Sequence, residues 1–158
     1  MITIKRLNKE DYKLFNELII VEGNNYKEFQ KLGWSVNQIN NQLNKNVDLS
    51  YGVFYQNSLI SFILGDLINI EKIAEYEILF IYVCKNFRNK GIGTKLLKKI
   101  EGIDNNICLR KIYLEVSKKN REAISFYIKM NFEKIYTRKN YYIIDKEKID
   151  AEVFSKTI

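Results

Sequence analysis

The chain has 158 residues, which suits one domain spanning 1–158, and 46% of them are hydrophobic, enough for a substantial core. Its formal charge is +7, from 26 Lys and Arg against 19 Asp and Glu, which favours anionic partners such as a nucleotide-like cofactor, a ribosome or an acidic protein. Histidine is absent, so histidine triads and histidine metal sites are excluded, and a general base must be Glu, Asp, Tyr, Cys, Lys, a terminal amine or a relayed water. No run of about 18 apolar residues exists to span a membrane. Met1 to Arg6 lacks the apolar stretch of a signal peptide, so the expected location is the cytoplasm. Cys84 and Cys108 have neither metal-ligand spacing nor a disulfide framework and read as small core-type residues.

Ile2 to Arg6 reads as a short strand. Asn8 is a helix cap with Asp11 in the first turn, and Leu14, Phe15, Leu18 and Ile19 recur at helical spacing until Gly23. Ser35 caps a second helix carrying Val36, Ile39 and Leu43. Tyr51 to Tyr55 and Leu59 to Ile70 form a predicted hairpin joined at Gln56-Asn57-Ser58. Tyr76 to Val83 is a buried-type strand, Gly91 to Ile100 a helix, and Lys111 to Val116 a strand. Asn120 caps a helix striped by Ala123, Ile124, Phe126, Tyr127 and Met130. Phe132 to Tyr136, Tyr141 to Ile144 and Ala151 to Lys156 read as closing strands. The order predicts a layered α/β domain with a mixed sheet.

The most specific stretch runs from Glu77 to Thr94. A strand leads into Arg88-Asn89-Lys90-Gly91-Ile92-Gly93, and a helix follows. A helix N-terminus offers unpaired backbone N–H groups and partial positive charge, and glycines let a phosphate approach them closely. Arg88 and Lys90 add charge, and Thr94 adds a hydroxyl. Leu96 stands where a dinucleotide fingerprint needs its third glycine and where a P-loop needs the glycine that opens Gly-Lys-Ser/Thr, so both rivals fail. A plain strand-turn-helix connection that uses glycine for geometry is the alternative.

These residues resemble the GNAT superfamily of acetyltransferases, whose Arg/Gln-x-x-Gly-x-Gly/Ala signature binds the pyrophosphate of acetyl-CoA. The closer likeness is to its RimI-type branch, which acetylates protein N-termini. Tyr76 to Val83, Leu114-Glu115-Val116 with Asn120, Ala123 to Tyr127 through Asn131-Phe132, and Arg138 to Tyr142 are each similar to segments of that branch, as is Trp34-Ser35. Three positions depart from it. Asn131 replaces a glycine, Lys85 an aspartate or histidine, and Gly33 the proline before Trp34, which leaves the acceptor-side loop looser. The resemblance implies a GNAT-like, mostly antiparallel central sheet with helices on both faces, acetyl-CoA as co-substrate, no metal, and a protein N-terminus, ribosomal for this branch, as acceptor. It requires neither a membrane nor direct contact with nucleic acid.

It also implies roles. Glu115 is the general base and Tyr127 the acid toward the leaving sulfur. From pattern alone Glu115 also suits a solvated strand face, and Tyr127 a packed helix stripe. Ile81, Tyr82, Val83, Arg88, Asn89, Lys90, Gly91, Ile92, Gly93, Thr94 and Asn120 are the expected contacts to the cofactor. Trp34, Glu77, Tyr141 and Tyr142 are expected at the acceptor, although Trp34 also suits a helix anchor and the tyrosines a pair of strand aromatics. An α-amine with a pKa of about 7.7–8.0 is roughly one-tenth neutral at pH 7, so it asks less of a carboxylate base than lysine does. A GNAT enzyme for a small amine, such as a polyamine or antibiotic, and a basic module without catalysis are the competing readings. An acidic cleft would favour the polyamine.

Overall fold

The protein is described by a computed structural model that covers residues 1–71, 73–103 and 106–158. A seven-stranded sheet runs in the order β1-β2-β3-β4-β5-β7-β6. The strands are β1 (Ile2–Arg6), β2 (Tyr51–Tyr55), β3 (Ser58–Ile70), β4 (Ile73–Val83), β5 (Cys108–Ser117), β6 (Glu133–Ile144) and β7 (Glu147–Thr157). Among the described strands only β4 and β5 are parallel, and the helix α4 (Ile92–Glu101) makes the crossover that parallel neighbours require. The mostly antiparallel mixed sheet expected from the sequence is therefore present.

Helices cover both faces. On one face α1 (Leu14–Glu22), α2 (Asn24–Lys31) and α3 (Val36–Leu43) contribute Phe15, Tyr26 and Ile39 to a core with Phe62, Phe80 and Tyr82. On the other, α4 brings Ile92, Leu96 and Ile100 against Tyr76, Ile78 and Ile112, with Tyr127 from α5 (Arg121–Lys129) in the same core. Capping follows the sequence. Asn8 and Asp11 form a reciprocal capping box on a 3-10 turn, and Ser35 and Asn120 accept from Gln38 and Ala123. Asn131 takes the positive φ of 63° that ends α5, as its departure from glycine requires.

Two predicted elements differ. α2 was not foreseen, because Gly23 reads as a stop and Asn24 to Lys31 is polar except at Tyr26 and Phe29; those two aromatics dock the helix. The three closing strands are two. Glu133 to Ile144 is one strand whose pairing to β7 is interrupted between Arg138 and Tyr142, with Asn140 at φ 54°. Cys84 is buried as expected, whereas Cys108, at the edge where β5 begins, is exposed.

The feature that positions the site lies in β4. Leu64 pairs with Phe80 and Gly65 with Ile78, so Leu79 is an extra residue. It reverses the alternation. Ile78 faces the α4 core, and Phe80 faces the α1–α3 core. Pairing with β5 ends at the same level, at Ile78 and Leu114, although both strands continue. Gly65, opposite the bulge, has no room for a side chain: an added Cβ would run into the Tyr76 ring and its hydroxyl, which donates to Leu49 at 2.7 Å. Gly65→Ala should therefore cost about 1–3 kcal/mol, read from the urea midpoint at unchanged m-value; a wild-type midpoint would show that the bulge adapts freely.

Candidate functional site

Where β4 and β5 part, three spaces meet. The first is a cleft of about 420 Å³ at the end of β4 and the start of α4, lined by Phe29, Val83, Arg88, Gly93, Asn120 and Phe126 among others. Gly91 holds φ 73° at the N-cap of α4, where an added Cβ would meet nothing, so glycine serves the backbone turn there and not space. No side chain caps that helix, and an uncapped helix N-terminus is suited to an anion. At Gly93 the reason is space: an added Cβ would lie 3.1 Å from the Phe126 ring.

The expected cofactor contacts mostly converge here. Ile81, Tyr82, Val83, Arg88, Asn89, Gly91, Ile92, Gly93, Thr94 and Asn120 all line the cleft. Lys90 does not; its ammonium sits over the Phe87 ring, 5.7 Å from the centroid. Arg88 is anchored, since its Nε donates to the Val83 carbonyl at 3.0 Å. The Thr94 hydroxyl donates to the Met130 sulfur at 3.7 Å. Asn120 lines the cleft while its Oδ1 caps α5, so cap and cleft residue coincide.

The second space is a groove of about 380 Å³ between Gly33 and Trp34 on one side and Tyr141 and Tyr142 on the other, floored by Glu77 and Glu115. Trp34 both walls the groove and stacks on Phe80, with centroids 5.3 Å apart and planes at 7°. Adjacent strand residues ordinarily point to opposite faces. The irregular stretch around Asn140 lets Tyr141 and Tyr142 line one groove together, their rings edge-on at 4.9 Å. Across the outer side, Lys31 at the end of α2 meets Asp145 in the β6–β7 turn at 2.8 Å.

The groove is electrostatically coupled. Arg138 donates to Glu115 at 2.6 Å, and its guanidinium lies 4.9 Å from the Tyr141 ring centre. Hydrogen bonding to Glu115 raises the Tyr141 phenol. Burial, then the Glu115 charge, pushes the Tyr142 phenol up. Burial also raises the Glu77 carboxyl, and the Glu115 charge adds to it. A carboxylate whose pKa moves toward neutrality is a better base, so Glu77 joins Glu115 as a base candidate in addition to its expected place at the acceptor.

The third space, about 110 Å³, joins the other two. It is lined by Phe29, Ile81, Asn120 and Ala123 from the cleft and by Trp34, Glu115 and Tyr142 from the groove. Tyr127 lines it as well, its ring packed against Phe132 at 5.5 Å, and burial pushes its phenol well above the ordinary range. Packing and exposure to the passage are thus compatible at Tyr127. Phe29 was missed by sequence reading because α2 was missed; it lines both the cleft and the passage.

Residues 11–132 match the acetyltransferase (GNAT) family. The chain belongs to that family. Its members use acetyl-CoA as co-substrate, and the described residues contain no group of side chains able to hold a metal ion. Over 77 residues the chain is 43% identical to N-alpha-acetyltransferase 50 of Danio rerio, covering 46% of this chain and 43% of that protein. Over 63 residues it is 41% identical to an N-alpha-acetyltransferase of Saccharolobus solfataricus, covering 39% and 38%. The matched stretches thus span less than half the length of these relatives. Arabidopsis thaliana NAA60 in complex with a bisubstrate analogue superposes with a TM-score of 0.80 at 18% identity, over 100% of this chain and 98% of that one. The Escherichia coli ribosomal-protein-S18-alanine N-acetyltransferase superposes at 0.74 and 20%, over 100% and 94%. At these identities the likeness is one of GNAT fold.

The Gly93–Phe126 contact yields a binding test. Gly93→Val should weaken coenzyme A binding by about tenfold or more in calorimetry while circular dichroism stays native, because even an added Cβ would lie 3.1 Å from the Phe126 ring and the β-branched methyls add bulk to the cleft wall. Unchanged affinity would move the cofactor elsewhere.

Proposed function

We propose that this protein transfers an acetyl group from acetyl-CoA to the N-terminal α-amine of a protein. The observation that carries the reading is the passage between the two larger spaces, lined at once by Ile81, Glu115 and Tyr127. A thioester entering from the cleft and an amine entering from the groove would meet there. The groove walls, Trp34 opposite Tyr141 and Tyr142, suit the backbone of an extended chain end. The Lys31–Asp145 bridge supports an acceptor that enters as an end.

In the reaction the neutral amine attacks the thioester carbonyl. The C–N bond forms and the C–S bond breaks. The amine's proton leaves through Glu115, directly or by water, with Glu77 orienting the amine or sharing that role. A backbone N–H near Ile81 polarises the carbonyl. Tyr127 donates a hydrogen bond to the sulfur as thiolate charge develops. Its raised phenol makes full proton loss to a thiolate uphill on its own, so the proton passes as the phenol takes one from solvent.

A narrower acceptor, the N-terminus of a ribosomal protein, is supported by the chain's +7 charge, which suits approach to a polyanionic particle, and by the fold likeness to the S18-alanine enzyme. This reading places the protein in the cytoplasm. One observation favours a polyamine instead: Glu77 and Glu115 share the groove floor. Arg138 offsets that charge through its pair with Glu115, which leaves the peptide reading ahead.

Turnover on a panel of peptide N-termini, ribosomal ones included, with spermidine and lysine side chains as controls, decides between these. Acetylation of spermidine alone would overturn the proposal. Glu115→Gln and Tyr127→Phe should each slow turnover by about 10²-fold or more; near-normal rates remove them from their roles. Because burial raises the Tyr127 phenol, it stays protonated as pH climbs, and kcat/KM should show no alkaline decline below about pH 10 from this group. A decline centred near pH 9 that Tyr127→Phe abolishes would contradict the assignment.

A further inference from the structure

The acceptor groove does not end at Glu77. A second groove of about 300 Å³ continues down the same open sheet face, sharing Glu77 and Glu115 with the first, and adds Ile68, Glu75, Tyr113 and Tyr136. Register places these side chains together. Ile68 pairs with Glu75 and Asp66 with Glu77 across β3–β4, Glu77 pairs with Tyr113 across β4–β5, and Val153 pairs with both Glu115 and Tyr136. Paired residues share a face.

We propose that this second groove binds the stretch of the acceptor polypeptide that follows its N-terminal residues, and that it selects a lysine or arginine there. The proposal rests on the N-terminal acetyltransferase reading and names its substrate class more closely. Three features point to a long basic side chain. The patch is acidic on a chain whose overall charge is +7. Among the described residues Glu75 and Glu77 form no ion pair, whereas Asp66 is held by Lys45 and Glu115 by Arg138. Ile68 and Tyr136 stay about half exposed, at 51% and 49%, and form an apolar wall beside the carboxylates. An aliphatic stem lies on such a wall while its charged head reaches the carboxylates, and a tyrosine face attracts the same cation.

Besides the paired Lys45 and Arg138, a further cation here is Lys111, the pairing partner of Glu75, whose ammonium lies over the Tyr113 ring at 5.2 Å. The Tyr113 hydroxyl donates to Glu75 at 3.3 Å, which leaves that carboxylate without a cation among the described residues. Lys111 occupies one side of the Tyr113 ring and sets where the guest cation cannot sit. The position in the acceptor follows from pitch. An extended chain advances about 3.3 Å per residue, so if its first residue lies level with Leu79 its third lies near Glu77 and its fifth near Glu75.

The test uses the full chain and peptides identical except for Lys, Ala or Glu at each of positions two to six. Lysine at one or more of positions three to five should raise kcat/KM by about three- to tenfold over glutamate, mainly through KM, and 0.5 M salt should shrink the difference. Glu75→Lys should reverse the order and Glu75→Gln should flatten it, with the KM for acetyl-CoA confirming that each variant is folded. Equal rates for the three peptides, or a lysine preference that survives in Glu75→Lys, overturn the inference while leaving the N-terminal activity in place. No turnover on any peptide overturns the parent reading, and this one with it.

Discussion

The extra residue in β4, Leu79, is the constraint on which the rest of the molecule depends. A regular strand here would keep one face of β4 toward α4 from end to end. With the bulge, Ile78 belongs to the α4 core and Phe80 to the α1–α3 core. The end of β4 therefore stops pairing with β5, and a gap opens in the middle of an otherwise continuous sheet. Beyond Ile78 the β4 backbone keeps its pairing to β3 but not to β5, and at its end the Val83 carbonyl accepts from Arg88 instead of from a strand. Ligands of open sheets bind outside the carboxyl ends of parallel strands, and β4 and β5 are the one parallel pair among the described strands.

A strand that leaves its neighbour must be held from elsewhere. One support is aromatic: Tyr26, Phe29, Trp34, Phe62, Phe80 and Tyr82 pack as a connected slab beneath the bulge. Tyr26 also donates to the Trp34 carbonyl at 3.0 Å, tying α2 to the loop that walls the groove. The other support is a buried carboxylate. Glu22 at the end of α1 accepts from the Tyr82 hydroxyl at 2.7 Å and from the Lys85 N–H at 3.0 Å. Burial and the neighbouring Glu22 push the Cys84 thiol up to about 12, so it stays a neutral packing group. The far end of β4 thus rests on α1 and α2 in place of β5.

The two sides of the gap differ in electrostatic character. On the cleft side the helix N-terminus, Arg88 and an uncapped first turn favour an anion. On the groove side burial and then the Glu115 charge raise the Glu77 carboxyl, while Arg138 is paired with Glu115 at 2.6 Å. A chain with no histidine has few other ways to move a proton near neutral pH. Two carboxylates, Glu77 and Glu115, on the floor of one groove and the Tyr127 phenol in the adjoining passage are the proton-carrying groups that the proposed reaction would draw on.

The sequence by itself determined whatever depends on neighbours along the chain. Caps at Asn8, Ser35 and Asn120, the strand-loop-helix from Glu77 to Thr94 and the glycine at Gly91 are local facts, legible because each rests on a few consecutive residues, and the exclusion of histidine chemistry needs only the composition. The pattern of Leu114, Glu115 and Val116 likewise showed which side of β5 is polar, and the family likeness supplied which residue on it to suspect. Only the tertiary structure decided what depends on partners far apart. It set the bulge opposite Gly65, the pairing of Glu115 with Arg138 across 23 residues, the docking of α2 by two aromatics, and the turning of Tyr141 and Tyr142 into one groove. It also displaced Lys90 from the cleft that its place in the motif suggested. A loop's sequence fixes which groups it carries, but their direction is set by the strands and helices against which it closes.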